Sequence, residues 1–367
     1  MTEAVIFKEL EADNGKKIGV IRLNSEKTLN ALNYEMIDCI YKTLLAWKSN
    51  DTVVCVFLEG AGEKAFCAGG DISSLRTNVL GGDLDAPLRF FSKEYRLDYL
   101  IHTYQKPIIV WGNGFVMGGG MGLMSGAGFR VVTSTSVLAM PEISIGLYPD
   151  VGGSWLLGRM PVKIGLFMAL TGCRLNAGDA IYMGLANRFI DDSFRSNVLQ
   201  SLQGAKWEYE RSYETVYEIM NQYVENNEGL IPSSKVREHR DLIAKLMDQP
   251  SLGAIMDQLA NLETDDEWLN ASRDNAMNGS PLSACIAYEQ QKRTRHLSLK
   301  EVFMVELVLS VNCSLRGDLC EGVRALLIDK DKKPKWLFDS VGDVDSESLE
   351  VFYHPLWGRV EHPLVGM

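Results

Sequence analysis

Two glycine-rich stretches, each placed after a short apolar run, constrain the fold of this chain more than any other feature. The first, KAFCAGGDI (residues 64–72), follows the apolar run VVCVFLEG, and the second, GFVMGGGMG (residues 114–122), follows PIIVW. Glycine has no Cβ, so such loops let the backbone turn sharply where a strand leads into a helix. The pattern predicts two strand–loop–helix units whose loops can direct backbone N–H groups at one carbonyl oxygen. A tight turn or close helix packing would also account for either stretch alone.

Short apolar strands alternate with helices across the first half of the chain. Strand patterns occupy VIFKEL, KIGVIRL, VVCVFLEG, PIIVW and FRVVT, and a helix pattern runs from about Asn33 to Lys48. This alternation predicts an α/β fold. After about Ser193 the strand patterns stop and helical patterns follow as far as Ser314. We therefore expect a core domain over residues 1–200, with the ligand pocket and active site, and a helical region over residues 201–367.

Composition and charge exclude several classes of protein. The 367 residues are 46% hydrophobic, which is ample for a buried core. The net charge of −11 argues against nucleic acid or an anionic membrane as partner, and no apolar run approaches the roughly 18 residues that a membrane span needs. The start of the chain, MTEAVIFKELEADNG, is acidic, whereas a transit peptide is rich in arginine. We expect a soluble, cytoplasmic protein unless a presequence has been removed.

The segment MPEISIGLYPDVGG, residues 140–153, places two carboxylates in an apolar context. Its two prolines and Gly146 prevent a regular helix around Glu142 and Asp150. An ordinary solvated loop would account for the two acids. The apolar neighbours predict instead that one or both are partly buried with a shifted pKa, as acids that act in catalysis often are.

Other kinds of site fit the sequence poorly. The G-x-G-x-x-G spacing fails after PIIVW and no G-x-x-x-x-G-K-[ST] occurs, so we expect no nicotinamide or nucleoside triphosphate site. The histidines have no metal-ligand spacing and the serines lack a G-x-S-x-G motif, which disfavours a zinc enzyme or a Ser-His-Asp hydrolase. From its helical pattern alone Glu94 is expected to be exposed, and Lys27 is expected to be solvated.

Four motifs, in their order and spacing, resemble the crotonase (enoyl-CoA hydratase/isomerase) superfamily. These are EKTLNAL, KAFCAGGDI, VMGGGMGL and MPEISIGLYPDVGG. The segment SLRGDLCEGVRALLIDKDKKPKW, residues 314–336, resembles the thioester-hydrolase branch of that superfamily. The resemblance covers nearly the whole chain. It implies a crotonase-like spiral of ββα units, followed by an α-helical C-terminal region that caps the site.

The resemblance also implies roles for residues at matching positions. The N–H groups of Gly70 and Gly119 would form an oxyanion hole. Glu142 matches the catalytic glutamate, Asp150 the aspartate of the hydrolase branch, and Glu94 a substrate-pocket glutamate of that branch. Two loops would line the CoA pocket, with Lys27 as a phosphate contact: Thr28, Leu29, Asn30, Ala68, Gly69, Gly70, Asp71 and Ile72.

One departure separates the chain from the hydratases. Where they place a first catalytic glutamate this chain has Gly122, and Asp150 stands where they usually have a glycine. The resemblance therefore implies hydrolysis of a short, branched 3-hydroxyacyl-CoA, a step of valine catabolism, with Glu142 as nucleophile or general base. It implies no metal, no cofactor apart from the CoA of the substrate, and self-association as a trimer or hexamer.

Two alternatives stay open at this point. The chain could be an enoyl-CoA hydratase or isomerase that uses Glu142 alone, in which case it would consume the enoyl absorbance of crotonyl-CoA. It could also be an acyl-CoA-binding protein without catalysis, which would bind acyl-CoA tightly and release no thiol. Intact Glu142 and Asp150 weigh against the second alternative.

Overall fold

The structure is a computed structural model that describes residues 3–225, 227–358 and 361–367. The chain divides into two compact units. The first contains Met1–Gly70, Leu97–Leu138 and Leu175–Arg237, and the second contains Asp71–Arg96, Ala139–Arg174 and Glu238–Met367. Each unit is thus assembled from three separate stretches of sequence. The domain boundary near residue 200 stays a prediction.

The first unit contains nearly all of the strand residues. The strands, in chain order, are β1 (Val5–Glu11), β2 (Lys17–Leu23), β3 (Val53–Gly60), β4 (Ala65–Cys67), β5 (Ile108–Gly112), β6 (Phe115–Met117), β7 (Phe129–Val132), β8 (Val137–Ala139) and β9 (Arg188–Phe189). The larger sheet has the order β1-β2-β3-β5-β7-β9, in which β1 is antiparallel to β2 and the other neighbours are parallel. The smaller sheet has the order β4-β6-β8, with β4 parallel to β6.

The centre of the larger sheet is buried on both faces. Every residue of β3 is buried, as the continuous apolar run VVCVFLEG predicts for a parallel strand covered on both sides. Phe57 on β3 stacks on Trp111 of β5 with ring centroids 5.9 Å apart. The Trp111 Nε1–H donates to Asp192 Oδ1 at 2.7 Å, so this large ring is buried without an unpaired polar atom. The predicted strands and the α/β class are confirmed.

Helices alternate with the strands and then dominate the sequence. They are α1 (Tyr34–Lys48), α2 (Ile72–Leu80), α3 (Ala86–His102), α4 (Gly119–Ser125), α5 (Gly153–Leu157), α6 (Ile164–Thr171), α7 (Ala177–Tyr182), α8 (Arg195–Gln203), α9 (Ser212–Val224), α10 (Lys235–Glu238), α11 (Arg240–Met247), α12 (Leu252–Ala260), α13 (Glu267–Asn278), α14 (Pro281–Arg293), α15 (Leu299–Leu315), α16 (Leu319–Val323) and α17 (Ser346–Glu350). A π-helical turn spans Arg324–Ile328. Short 3₁₀ turns span Glu26–Thr28, Glu142–Ile145, Pro161–Lys163, Asp192–Phe194, Tyr209–Arg211, Glu228–Leu230 and Val351–Tyr353.

The helix boundaries follow their capping residues. The Asn33 side chain accepts from Met36 N at the start of α1, and Ser298 forms a capping box with Glu301 at the start of α15. The last strand among the described residues is β9, in agreement with the predicted loss of strands near Ser193. None of the helices described is both long and apolar enough to cross a bilayer.

The triple glycine packs α4 closely against β4. A methyl group on Gly120 would lie 2.4 Å from the carbonyl oxygen of Cys67, closer than any carbon can approach. The backbone of α4 therefore rests directly on β4, and the close-packing interpretation of this stretch holds at Gly120. Gly118, which precedes α4, has φ +49°, a conformation that favours glycine.

We expect Gly120→Ala to lower the free energy of unfolding by about 1–3 kcal/mol, the usual cost of overpacking a core. The matched control is Gly204→Ala, because a methyl group there would lie an ordinary 3.5 Å from Gln200 O, at a negative φ. The control should change stability by less than about 0.5 kcal/mol. Urea unfolding midpoints measure both, and equal midpoints for the two variants would contradict the packing argument.

Candidate active site

The two glycine-rich loops are neighbours in the first unit. A methyl group on Gly69 would lie 3.5 Å from the carbonyl oxygen of Met117 and 3.9 Å from Gly119 N. Gly69 has φ +118°, a value that only glycine adopts readily. Gly119 is the first residue of α4, so its N–H has no partner within the helix. The structure thus brings together the two stretches that carry Gly70 and Gly119.

A third loop lies along the first glycine stretch. Leu32 N donates to the Gly69 carbonyl at 2.8 Å, and Ala68 N donates to the Leu29 carbonyl at 3.0 Å. These bonds join residues 28–32 to residues 68–70. The predicted pocket-lining residues Thr28, Leu29, Ala68 and Gly69 are therefore adjacent.

Asn30 fixes the shape of this third loop. Its side chain is fully buried, and its amide nitrogen donates to the carbonyls of Ala61 and Ala65 at 3.0 and 2.9 Å. Its Oδ1 accepts from Ser25 N at 2.9 Å. Leu29 and Asn30 both have positive φ, and these bonds offset the cost of that conformation.

The remaining predicted CoA contacts lie at the ends of short elements. Lys27 is exposed, as expected, within the 3₁₀ turn that ends at Thr28. Asp71 is the N-cap of α2, where its side chain accepts from Ser74 N at 3.0 Å. Ile72 is the first residue of that helix.

Three carboxylates of the predicted site are buried in the second unit. Glu94 comes from α3, Glu142 from the start of a 3₁₀ turn, and Asp150 from the loop before α5; their side chains are 3%, 4% and 4% exposed. The burial predicted for Glu142 and Asp150 is confirmed. Glu142 Oε2 and Glu94 Oε1 accept no hydrogen bond from any described residue. Each of these two acids thus has a buried oxygen available to a ligand.

The expectation that Glu94 is exposed is wrong. The aromatic neighbours on α3 pack inward, and Phe90, Phe91 and Tyr95 are all buried together with it. A local pattern of charged and aromatic residues on a helix does not determine which faces other elements cover. The prediction of Glu94 as a pocket residue, which rests on the resemblance, fits this burial.

Burial controls the electrostatics of the three acids. It raises the pKa of Glu94 and of Glu142 well above the ordinary value, and the negative charge of Asp150 raises both further. Burial also raises the pKa of Asp150 to about 6, against the hydrogen bond from Tyr95, which lowers it. No salt bridge of the described residues involves any of the three. The acids therefore titrate as a coupled group.

The 3₁₀ turn that carries Glu142 is held by the C-terminal part of the chain. Ser280 N donates to the Ile143 carbonyl at 3.0 Å. Gly146 closes the turn at φ +75°, and a methyl group there would lie 2.4 Å from the carbonyl oxygen of Asp318. Asp318 belongs to the segment of residues 314–336 that resembles the hydrolase branch. That segment therefore packs directly on the turn that carries Glu142.

Glu306 holds the loop that carries Asp150. Its carboxylate, fully buried on α15, accepts from Gly152 N at 2.8 Å and from Ser154 N at 3.0 Å. Val151 and Gly152 have φ of +52° and +80°. A β-branched residue in this region is strained, at a cost on the order of 1–3 kcal/mol. The two bonds to Glu306 hold the strained loop in place.

The sequence contained one signal for Glu306. It shares the apolar face of α15 with Val302 and Leu309, and a lone acid at such a position requires buried partners. The identity of those partners, two main-chain N–H groups more than 150 residues away in sequence, was not accessible from the pattern.

Residues 18–353 match the family model described as enoyl-CoA hydratase/isomerase. The chain belongs to this family. An enoyl-CoA hydratase from Rhodobacter sphaeroides 2.4.1 is 30% identical, with a TM-score of 0.83 over 96% of this chain and 98% of that one. A carnitinyl-CoA dehydratase from Mycobacterium thermoresistibile is 31% identical, with a TM-score of 0.84 over 97% of each chain. The predicted crotonase-like fold with a helical C-terminal region is confirmed.

Several curated members of the family are similar over most of their length. The relative from Danio rerio is 38% identical over 93% of this chain and 88% of its own, and that from Homo sapiens is 36% identical over 92% and 86%. The relative from Dictyostelium discoideum is 35% identical over 98% and 94%. Each bears the name 3-hydroxyisobutyryl-CoA hydrolase, mitochondrial.

The prediction of a cytoplasmic location is wrong in the light of these names. The acidity of the first residues carried that prediction. The charge of one short stretch does not determine the location of the whole protein. The relatives named as mitochondrial match most of this chain.

One cluster of potential metal ligands lies elsewhere in the second unit. One ligand atom from each of Glu238, His239 and Asp266 lies within 4.8 Å of the others. Asp266 is the N-cap of α13, and the His239 ring stacks on Trp268 with centroids 5.9 Å apart. These contacts give the cluster a role in packing at the start of α13.

We expect the Glu306 carboxyl to make the protein less stable as pH rises. Burial raises its pKa to about 8, whereas in the unfolded chain it loses its proton near 4.5, so within that window only the folded state holds the proton. The free energy of unfolding should then fall by up to about 1.4 kcal/mol per pH unit for this group. The pH dependence should be weaker in Glu306→Gln, which cannot titrate.

Urea unfolding at several pH values between about 5 and 8 tests this expectation. Glu225→Gln, which removes an exposed acid, is the matched control and should keep the native pH dependence. An unchanged pH dependence in Glu306→Gln would show that Glu306 is already ionised in the folded protein.

Proposed function

We propose that this chain is a thioester hydrolase that cleaves 3-hydroxyisobutyryl-CoA, or a similarly short 3-hydroxyacyl-CoA, to the free acid and CoA. One observation carries the proposal: Glu94, Glu142 and Asp150 are buried together in the second unit, and Glu94 and Glu142 keep one oxygen each without a partner among the described residues. The curated relatives, similar over most of the chain, support the choice of substrate.

The position of the acids favours hydrolysis over hydration. Hydratases of the family place a first glutamate where this chain has Gly122, which is buried inside α4. That position offers no side chain for the addition of water across a double bond. The second acid is Asp150 instead, so the acids are arranged differently from those of a hydratase.

In the reaction, the Gly70 and Gly119 N–H groups would stabilise the oxyanion that forms when the thioester carbonyl is attacked. Loss of one such donor typically costs about 3–4 kcal/mol of barrier. Glu142 attacks through its unpartnered oxygen, displaces the CoA thiolate and forms a mixed anhydride, which water then cleaves. In the alternative role Glu142 is the general base for direct attack by water.

In this scheme Asp150 donates and accepts the proton that is transferred during the reaction. Its pKa of about 6, raised by burial, lies near neutral pH, where a group can both give and take a proton efficiently. When Asp150 is protonated its charge no longer raises the pKa of Glu142, which favours the ionised, nucleophilic form of Glu142. The scheme uses the state in which Asp150 holds the proton and Glu142 carries the charge.

The CoA part of the substrate would contact the loops of residues 27–30 and 68–72. Their backbone groups are held by the Asn30 side chain and by the bond from Leu32 N to the Gly69 carbonyl. The Lys27 ammonium is exposed to solvent, where it can pair with a phosphate of CoA.

Thiol release from 3-hydroxyisobutyryl-CoA, followed with a disulfide reporter dye, tests the proposal. The native protein should release thiol, and Glu142→Gln and Asp150→Asn should each lose about 100-fold or more in kcat, the usual contribution of a nucleophile or general acid–base group. Glu225→Gln, an exposed acid, should retain native activity. Absence of thiol release by the native protein, with consumption of crotonyl-CoA, would instead establish a hydratase.

Glu94 should set the preference for a hydroxylated substrate. With one buried oxygen unpartnered, it can accept a hydrogen bond from the substrate's 3-hydroxyl group. Glu94→Met removes the acceptor at similar volume, so the ratio of kcat/KM for 3-hydroxyisobutyryl-CoA over isobutyryl-CoA should fall about 10-fold or more. Equal losses for the two substrates would contradict this role.

A further inference from the structure

Three buried hydroxyl groups connect Asp150 to a main-chain carbonyl on α15. The Tyr95 hydroxyl oxygen lies 2.5 Å from Asp150 Oδ2 and 2.7 Å from Ser310 Oγ. Ser310 Oγ lies 2.9 Å from the Tyr148 hydroxyl, which in turn lies 2.8 Å from the carbonyl oxygen of Glu306. Tyr95, Ser310 and Tyr148 are at most 1% exposed. The four contacts form one continuous chain that we call the hydroxyl chain.

The number of hydrogens in the hydroxyl chain depends on the charge of Asp150. Each hydroxyl has one hydrogen to donate, and an ionised carboxylate only accepts. With Asp150 ionised, Tyr95 donates to Asp150 and Ser310 to Tyr95, while Tyr148 donates either to Ser310 or to the Glu306 carbonyl. Three hydrogens fill three of the four contacts, and one contact of Tyr148 has none.

With Asp150 protonated, the hydroxyl hydrogens of Tyr95 and Ser310 point the other way. Asp150 donates to Tyr95, Tyr95 to Ser310, Ser310 to Tyr148, and Tyr148 to the carbonyl of Glu306. Four hydrogens then fill all four contacts. The hydroxyl chain changes from one arrangement to the other by rotation of its O–H bonds, so no heavy atom has to move.

We propose that Tyr95, Ser310 and Tyr148 are positioning residues that stabilise both protonation states of Asp150, so that it alternates between acid and base without rearrangement of the packed site. This proposal rests on the proposed function, in which Asp150 serves as acid in one half of the reaction and as base in the other. We assign the hydroxyl chain no direct contact with the substrate.

The reaction balances as follows when Glu142 is the nucleophile. Glu142 forms a C–O bond to the acyl carbon and the C–S bond breaks, so the electron pair leaves on the CoA sulfur, which takes the proton of Asp150. Water then attacks the anhydride and gives a proton to Asp150, while its oxygen bonds to the acyl carbon. Release of the acid restores ionised Glu142 and protonated Asp150, and one thioester and one water have become one acid and one thiol.

The surroundings of Asp150 make such support necessary. The groups that interact with it electrostatically are all acids or weak acids: Glu94 and Tyr95 on α3, Glu142 on its turn, Tyr148 on the same loop, and Glu306 and Cys313 on α15. No cation among the described residues forms an ion pair with Asp150. Hydrogen bonds therefore have to carry the stabilisation that an arginine or lysine would otherwise supply.

Two variants should change the titration of Asp150 by different amounts. Tyr95→Phe costs the ionised arrangement one charge-assisted bond and the protonated arrangement two neutral bonds of about half that strength, so the pKa of Asp150 should change little. Ser310→Ala costs the protonated arrangement two hydrogen bonds, but costs the ionised one a net single bond, because Tyr148 turns back to the Glu306 carbonyl. The pKa of Asp150 should then fall by about half a unit. Ser310→Thr keeps the hydroxyl and should restore the native value.

The titration can be followed without substrate. Protein labelled with ¹³C at the aspartate carboxyl groups is titrated by NMR, and Asp150→Asn assigns the signal. The pH profile of kcat/KM for thiol release should show the same shifts. Tyr104→Phe is the matched control, since it also removes a buried tyrosine hydroxyl, one that donates to the Leu44 carbonyl at 2.8 Å, and it should leave both readouts unchanged.

A lower pKa of Asp150 in Ser310→Ala, restored by Ser310→Thr, with little change in Tyr95→Phe, would support the hydroxyl chain, whereas water entering a loosened core would lower this pKa in both variants. An unchanged or raised pKa in Ser310→Ala overturns it. If Tyr95→Phe does not fold, the near-isosteric Ser310→Ala decides alone. A native protein that hydrolyses no acyl-CoA overturns the proposed function, while the NMR titration still decides whether the hydroxyl chain exists.

Discussion

The second unit has to keep acidic side chains out of water without a basic partner. Glu94, Glu142, Asp150 and Glu306 are all at most 4% exposed. An unpaired buried charge is costly, by several kcal/mol for each ion even after relaxation. The fold can reduce that cost by donating hydrogen bonds to the charged oxygens or by leaving the group protonated, and the four acids differ in how far it does so.

The degree of compensation follows the role that we assign to each acid. Glu306, which supports a loop, accepts from two main-chain N–H groups. Asp150, which donates and accepts the transferred proton, accepts one hydrogen bond at its Oδ2, from the Tyr95 hydroxyl. Glu142 and Glu94 each retain a buried oxygen with no partner among the described residues. The two acids that contact the substrate in this proposal are thus the least compensated, so a substrate that supplies a carbonyl carbon or a hydroxyl hydrogen completes their environment.

Local patterns in the sequence were sufficient to predict the strands, the two glycine loops and the burial of Glu142 and Asp150. Period and apolar context determine these features, because each depends on residues within about ten positions in the chain. The location of Glu94 could not be predicted this way, since its burial depends on which elements cover α3. The hydroxyl chain was equally inaccessible, because Tyr95 and Ser310 are 215 residues apart. The roles of the individual site residues remain predictions.

The division of the second unit into three stretches has a consequence for synthesis of the protein. Contacts between residues so distant in sequence carry a large loop-closure cost and form late. A nascent chain that has reached β9 already contains Glu94, Glu142 and Asp150 but lacks α15, which supplies Glu306 and Ser310. Until α15 is made, these acids remain in contact with water and therefore stay ionised. Completion of the fold is therefore accompanied by proton uptake, because the newly buried acids bind hydrogen ions from the surrounding solution.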